Sequence, residues 1–497
     1  MDKFLEGLKE ATNYKYTENG AGAYKSTLNK VLDMFALGGA YRNRSDDDCI
    51  KLFQDAWRED PNLALKCLFY IRDCRGGQGE RRFFRVVMRY IMEHAYGRPA
   101  FNHLIPLIPE YGRWDDLFYI TYKTQAWDDA MSVVRTTLLI DLHDCDSPNY
   151  AISVLGKWMP SCNASSATTR EMGNAVRAAL GYTHRKYRKT LKRLRARLKV
   201  LETLMSAKRW DEIQFDTIPS KAGLKYRNAF ARNEYLAARY GNFMKDQKTK
   251  VNASVLNPVD IAKECLYCEN TPDAVERLAL QKYWDNLPDY YGGRKENGIC
   301  IVDVSGSMEG TPMAAAVSLG AYIANKAEGP FKNHFITFSS NPDLVEFSGQ
   351  DIYAKFRYAR NAHWGNSTNL KAAMELILNT AIKTHSPVPE RLYIFSDMEF
   401  DAACGHYSWN SRHGDGWQNS LFNIIEAKFK MAGYKMPHIV FWNLDARNNT
   451  IPAVYGRYSY VSGFNPNMIE CILSGKTGWD LCLEKLLSPR YKNVHVW

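Results

Sequence analysis

The chain is predicted to join an all-helical N-terminal part to a C-terminal α/β unit with a doubly wound, mainly parallel sheet, an α + α/β fold. Three observations carry this. Apolar residues recur at three- and four-residue spacing through residues 1–290, with no strand-like alternation. Beyond residue 298, short apolar runs alternate with helical segments, the pattern of parallel strands joined by crossover helices. Between them, Pro288, Gly292-Gly293 and the polar Arg294-Lys295-Glu296-Asn297 mark a linker. A chain of 497 residues also exceeds one ordinary core. The expected division is a helical domain over 1–290, a linker over 291–298 and an α/β domain over 299–497.

In the first part, a helix over 20–37 is expected to stop at Gly38-Gly39. Ser45-Asp46 caps the next, which runs to about Trp57, and Asp60-Pro61 opens another, with Asp as cap and Pro in the first turn. Phe83, Phe84, Val87, Met88 and Ile91 give an amphipathic helix over 80–94, and shorter helices follow over 100–109, 113–121 and 125–142. Short connections predict antiparallel pairs stacked as a HEAT-like repeat, in a ring or an arc. In the second part, strands are expected at 299–302, 334–338, 344–347, 391–395, 438–442 and 458–461. Helices are expected at 313–326, 369–383, 421–432 and 467–473.

Composition narrows the function. With 45% hydrophobic and 24% charged residues, and no apolar run of membrane-spanning length, the chain is expected to be a cytoplasmic protein with no membrane segment, and a monomer. Residues 2–6 lack a secretory leader's layout. The 11 cysteines are scattered, and Cys265 and Cys268 alone form a Cys-x-x-Cys pair; a zinc site would need further ligands such as His406 or His413, so two reduced thiols are expected.

The net charge of +11 is unevenly placed: residues 1–296 carry an excess of ten positive charges and 297–497 an excess of one. Between Arg170 and Lys199 stand 11 basic residues and one acid, Glu171. Tyr187, Leu191, Leu194, Leu198, Leu201 and Met205 form one apolar stripe there. Arg185, Lys186, Arg188, Lys189, Lys192, Arg193, Arg195, Arg197 and Lys199 fill the remaining circumference without an acid among them. A merely solvated face normally mixes signs, so these nine cations are the candidate RNA-binding set, neutralising phosphates and releasing counterions. A candidate phosphate loop lies at Arg75, Gly76, Gly77, Gly79, Arg81 and Arg82, glycine-rich but without the Gly-Lys-Ser/Thr ending of a P-loop.

The α/β part opens on Ile299-Cys300-Ile301-Val302-Asp303-Val304-Ser305-Gly306-Ser307, a buried strand that runs into one carboxylate and two hydroxyls. Hard oxygen ligands at such a corner suit a small divalent cation, Mg²⁺ first, and open α/β sheets place ligands at this edge. Asn366-Ser367-Thr368-Asn369 and Ser396-Asp397 should reach the same edge, adding a hydroxyl and a carboxylate. Without a metal, Ser305 or Ser307 would be an ordinary helix cap.

Asp303, Ser305, Ser307, Thr368 and Asp397 in this order resemble the von Willebrand factor A domain and its metal-ion-dependent adhesion site. That resemblance implies direct metal binding by Ser305 and Ser307, direct or water-mediated binding by Thr368, and mainly water-mediated binding by Asp303 and Asp397. A position is then left for a partner's acidic side chain. A helical half before such a domain looks like the Ro autoantigen and the TROVE-type proteins, in which a ring of helical repeats closed by this domain binds noncoding RNA. Arg75-Gly76-Gly77-Gln78-Gly79-Glu80-Arg81, Tyr111-Gly112-Arg113-Trp114-Asp115-Asp116-Leu117 and Pro219-Ser220-Lys221-Ala222 extend the match to an uncharacterised TROVE-related family of viruses, bacteria and plants. These motifs are silent about activity. The long 399–419 segment departs from the pattern and is expected to cover or extend the metal site.

The function expected is non-enzymatic binding of noncoding or structured RNA, single-stranded ends included, as a ribonucleoprotein scaffold or in RNA quality control. The rival is a protein-interaction module whose metal grips an acidic side chain, with RNA incidental. A metal-dependent RNA hydrolase is disfavoured: the site lacks a two-metal carboxylate cluster, the 11 histidines are dispersed and no Gly-x-Ser-x-Gly occurs, so no catalytic residue is assigned.

Overall fold

The computed structural model describes residues 12–94, 99–147, 149–338, 341–361, 368–401, 421–453, 458–476 and 478–496. Near the start of the described residues stands a small antiparallel hairpin, β1 (Tyr14–Tyr16) and β2 (Gly22–Tyr24), where a helix is expected from residue 20. Gly20 takes a left-handed φ of 88° in its turn, which favours glycine. The helix starts only at Lys30–Leu37, after Asn29 accepts a hydrogen bond from the Leu32 N–H. Asp46–Glu59 begins at the Ser45 cap and Pro61–Arg72 at the Asp60 cap, as the cap residues require. Arg82–His94, Trp114–Thr121 and Trp127–Asp144 follow, while the helix expected over 100–109 splits into Pro99–Asn102 and Leu107–Tyr111.

Residues 167–206 form three helices, Ala167–Ala179, His184–Arg197 and Leu201–Ser206, and the expected single stripe is divided between the last two. Thr183 caps the middle one, and Lys199, at φ 47°, ends it in a left-handed turn. Tyr187, Leu191 and Leu194 are buried before the break, Leu201 and Leu204 after it. The helical series closes with Ser220–Arg232, Ala237–Lys245, Pro258–Leu266 and Ala274–Asp285.

A six-stranded sheet forms the second part: β3 (Gly298–Val302), β4 (His334–Thr337), β5 (Leu344–Glu346), β6 (Arg391–Ser396), β7 (His438–Asn443) and β8 (Tyr458–Ser462). Their order is β5-β4-β3-β6-β7-β8, parallel throughout except for β5. β3, β7 and β8 are buried along their whole length; β3 and the middle of β7 read as continuous apolar or aromatic runs, while β8 alternates Tyr and Val with two buried serines. Thr311–Lys326, Leu370–Thr384 and Leu421–Met431 are crossover helices. Gly320 lets the first lie close on β3, because a Cβ there would stand 2.7 Å from Val302 Cγ2. Two helices went unforeseen: Ile352–Asn361, despite Ile352, Phe356 and Ala359 at helical spacing, and Gly478–Leu486. The expected helix over 467–473 is a 3₁₀ turn followed by Ile469–Ile472.

Both ends of the helical series rest on this α/β unit. Lys30–Leu37 packs on β8 and Gly478–Leu486, while Pro258–Leu266 packs on Thr311–Lys326 and Ile352–Asn361. Asp73, fully buried, accepts from Arg490 Nη2 (2.7 Å) and from the Tyr491 hydroxyl (3.0 Å), and Tyr111 donates to the Arg490 carbonyl (2.6 Å). Removing Arg490 would leave a buried carboxylate without its cation, held by the Tyr491 hydroxyl and the Arg75 N–H, and would destabilise the fold. No helix among the described residues is long and apolar enough to cross a membrane.

Candidate functional site: an oxygen-lined corner and a basic helix

Strand order reverses at β3, with β4 on one side and β6 on the other, so the crevice beyond β3 and β6 is the topological switch point. Asp303 follows β3 and Asp397 follows β6, and both are buried. Asp303 Oδ1 accepts from the Ser305 N–H (2.9 Å) and Oδ2 from the Ser396 hydroxyl (2.7 Å). Burial first, and the nearby Asp397 charge second, push the Asp303 carboxyl up to about 6. Ser305 and Ser307 bring their hydroxyl oxygens 3.0 Å apart at the rim, Ser307 exposed and Ser305 half-buried. Gly310, at φ 87°, then turns the chain into Thr311–Lys326.

The other two expected ligands are engaged by the protein itself. Thr368 is buried; its hydroxyl lies 3.0 Å from the Glu399 carbonyl and 2.9 Å from Asp401 Oδ1, and accepts from Asn19 Nδ2 at 3.3 Å. Asp397 Oδ2 accepts from Arg447 Nη2 at 2.7 Å, and the same guanidinium meets Glu18 at 3.1 Å. The turn of the N-terminal hairpin therefore reaches the Thr368 end of the corner: Asn19 also donates to the Glu399 carbonyl (2.7 Å) and the Thr17 hydroxyl to the Phe400 carbonyl (2.6 Å). Sequence reading missed Glu18, Asn19 and Arg447, which lie from 50 to several hundred residues from their partners and carry no local signal.

The donor set fits a hard divalent cation through Asp303, Ser305 and Ser307, since a cation would relieve the repulsion between two buried carboxylates. Among the described residues, no group of three or more His, Cys, Asp and Glu side chains is placed to hold a metal. Asn366, Ser367, His406, His413 and positions 402–419 of the long loop lie outside the described residues. Cys265 is buried and Cys268 half-buried, both as free thiols.

The basic helix divides its charges. Arg185, Lys186, Arg188, Lys189, Lys192 and Lys199 are exposed and form no ion pair with any described residue. Lys186 Nζ sits 4.0 Å over the Tyr182 ring, and a cleft of about 490 Å³ runs along this face past Arg185 and Lys189. Arg193 instead pairs with Asp146, and Arg197 donates to the Ser147 and Tyr150 carbonyls. Arg195 turns inward, donating to the carbonyls of Gly156 (3.0 Å) and Met159 (2.9 Å) and to the Ser161 hydroxyl (3.0 Å). Three of the nine expected phosphate contacts are thus held by the fold.

The glycine loop corrects its own expectation. The N–H groups of Gly77 and Gly79 donate to the Asp73 carbonyl, Gln78 to Tyr70 and Glu80 to Ile71, so its amides are turned inward. Arg75 donates to the Glu110 carbonyl and Arg82 pairs with Asp46, which leaves Arg81 as the loop's exposed cation with no ion pair among the described residues. In Arg113-Trp114-Asp115-Asp116, buried Asp116 accepts from Arg72 (2.7 Å) and Arg85 (2.6 Å), and Asp115 clasps Arg113 (2.7 Å), so this motif's carboxylates serve the packing of the helices.

Fold and geometry define a protein with a helical half resting at both ends on a mainly parallel α/β unit. Its two halves match two family models, each described as a domain of unknown function: DUF2828 over residues 17–97 and 164–286, and DUF7788 over 297–485. The uncharacterized protein L728 of Acanthamoeba polyphaga mimivirus is 32% identical over 506 residues, spanning 93% of this chain and 85% of its own. The chain belongs to the family of that viral protein.

Proposed function

We propose that the protein is a non-enzymatic, cytoplasmic RNA-binding protein that grips phosphates with the outward face of His184–Arg197. One observation carries the reading: six exposed cations on that helix and its end have no carboxylate partner among the described residues. Fixed on one helix, they offer sequence-independent affinity, and Tyr182 at their edge adds a ring on which a base can stack. The resemblance to TROVE-type proteins supports the same reading, with HEAT-like helical pairs, a von Willebrand A domain and noncoding or structured RNA as the ligand. The contact of both helical ends with the α/β unit agrees with a closed arrangement.

In the corner, Asp303, Ser305 and Ser307, with Thr368 and Asp397 behind them, would hold Mg²⁺. When bound, the ion would supply a Lewis-acidic position for an acidic side chain of a protein partner. The exposed Ser307 hydroxyl favours this second, docking role, which is compatible with RNA binding on the other half. Charge reversal tests the RNA reading. Arg188→Glu, Lys189→Glu and Lys192→Glu together should lower affinity for a structured RNA at least tenfold in a gel-shift titration, with the circular dichroism spectrum unchanged. Equal affinity for both proteins would remove the helix as the contact.

A further inference from the structure

A second basic site lies where three otherwise unexplained stretches meet. Arg113 of the Tyr-Gly-Arg-Trp motif, Lys221 of the Pro-Ser-Lys-Ala motif with Lys225 one turn on, Lys157-Trp158, and inward-facing Arg195 line one cleft of about 930 Å³. Arg113 is paired with Asp115 and Lys221 with Asp260. Lys157, Lys225 and Arg195 have no carboxylate partner among the described residues. Arg195's acceptors are all neutral, so its half-buried charge is oriented without being neutralised. The Arg113 guanidinium lies 4.3 Å over the Trp158 ring, and this flat cation–aromatic pair forms part of the wall. The lining carries one acid, Glu202, which the Tyr226 hydroxyl meets at 3.4 Å.

We propose that this cleft binds a free nucleotide carrying two or more phosphates. Its volume falls in the range of small-molecule sites. Its cations come from four separate segments and converge on one place, which suits charge concentrated in a polyphosphate. An RNA backbone asks for a stripe of cations, and that stripe lies elsewhere, on the outward face of His184–Arg197. Three unneutralised cations exceed what one terminal phosphate, at about two negative charges, would use. The Trp158–Arg113 wall takes the base, and Glu202 is placed to accept from a sugar hydroxyl. The site uses residues that the RNA reading leaves free, so the two stand or fall separately.

Isothermal titration of the full chain with ADP, AMP, adenosine and pyrophosphate tests this. ADP should bind at least tenfold more tightly than AMP, pyrophosphate should compete with ADP, and adenosine should give no heat. Lys157→Glu and Lys225→Glu, neither of them fully buried, should each weaken ADP at least tenfold, whereas Lys189→Glu on the outward helix face should leave it unchanged. Circular dichroism confirms that each variant is folded, and Lys225→Gln, with a smaller loss, guards against a folding defect. The proposal is overturned if ADP gives no binding, or if it binds both Glu variants as it binds the native chain. It is equally overturned if a single-stranded RNA oligonucleotide loses affinity in both variants while ADP does not compete with it.

Discussion

Neutralising single cations on His184–Arg197 separates its outward charges from its inward ones, and the salt dependence of RNA binding reads the difference. Six free cations give a slope of log K against log salt of about −4 if each meets one phosphate of a single strand, at roughly 0.7 per contact. Raising salt from 50 to 200 mM would then weaken binding about 300-fold. Lys189→Gln with Lys192→Gln removes two contacts, so the slope falls to about −2.8 and the loss over the same range to about 50-fold. Arg195→Gln is the discriminating control, because Arg195 turns inward onto Gly156, Met159 and Ser161, away from the outward face, and should leave the slope within error of the native value. Fluorescence anisotropy with a labelled single-stranded RNA at four salt concentrations suffices. A slope changed by Arg195→Gln and unmoved by the lysine pair would refute the assignment of faces.

Three further outcomes follow from the corner and the ion pairs. Mg²⁺ at a hundred times its dissociation constant should stabilise the native chain by about 2.7 kcal/mol. Asp303→Asn, which removes one of two opposed buried carboxylates, should abolish that gain in a thermal melt without weakening RNA binding. Asp73→Asn should expose the C-terminal segment 489–496 to limited proteolysis, since Arg490 and Tyr491 lose their shared acceptor. For pH, burial alone would raise the Asp73 and Asp116 carboxyls, but Arg490's hydrogen bond at the first and the Arg72 and Arg85 charges at the second hold both below the usual carboxylate value of 3.8. A depressed folded pKa contributes stability that is complete above the unfolded value and is lost as pH falls through the folded one. Denaturation midpoints should therefore drop below about pH 4, and Asp116→Asn should flatten that drop.

How far the sequence reaches depends on whether a signal is local. Ser45 and Asp60-Pro61 mark helix starts because a cap acts within one turn, and β3, β6 and β7 stand out because strands buried on both faces carry a continuous apolar run at their centre. Asp303 and Asp397 could be placed at one edge because each directly follows such a strand. Periodicity fails where it continues across a break: the Leu194, Leu198, Leu201 spacing stays helical although Lys199 turns left-handed. Nor can spacing tell that Arg195 points inward while Lys192 faces solvent, since both flank the same stripe. Arg447 on Asp397 and Asn19 on Thr368 are tertiary contacts with no trace in composition. Arg113 and Lys221 were visible as motif residues, and their meeting in one cleft was not.

The most direct test of the RNA reading is ultraviolet cross-linking of the full chain to bound RNA, with the cross-linked peptides identified by mass spectrometry. Cross-links should concentrate on Tyr182, Arg185, Lys186, Lys189 and Lys192, on the outward face of the basic helix. Cross-links confined to other surfaces, with peptides from 182–199 unmodified, would contradict the account.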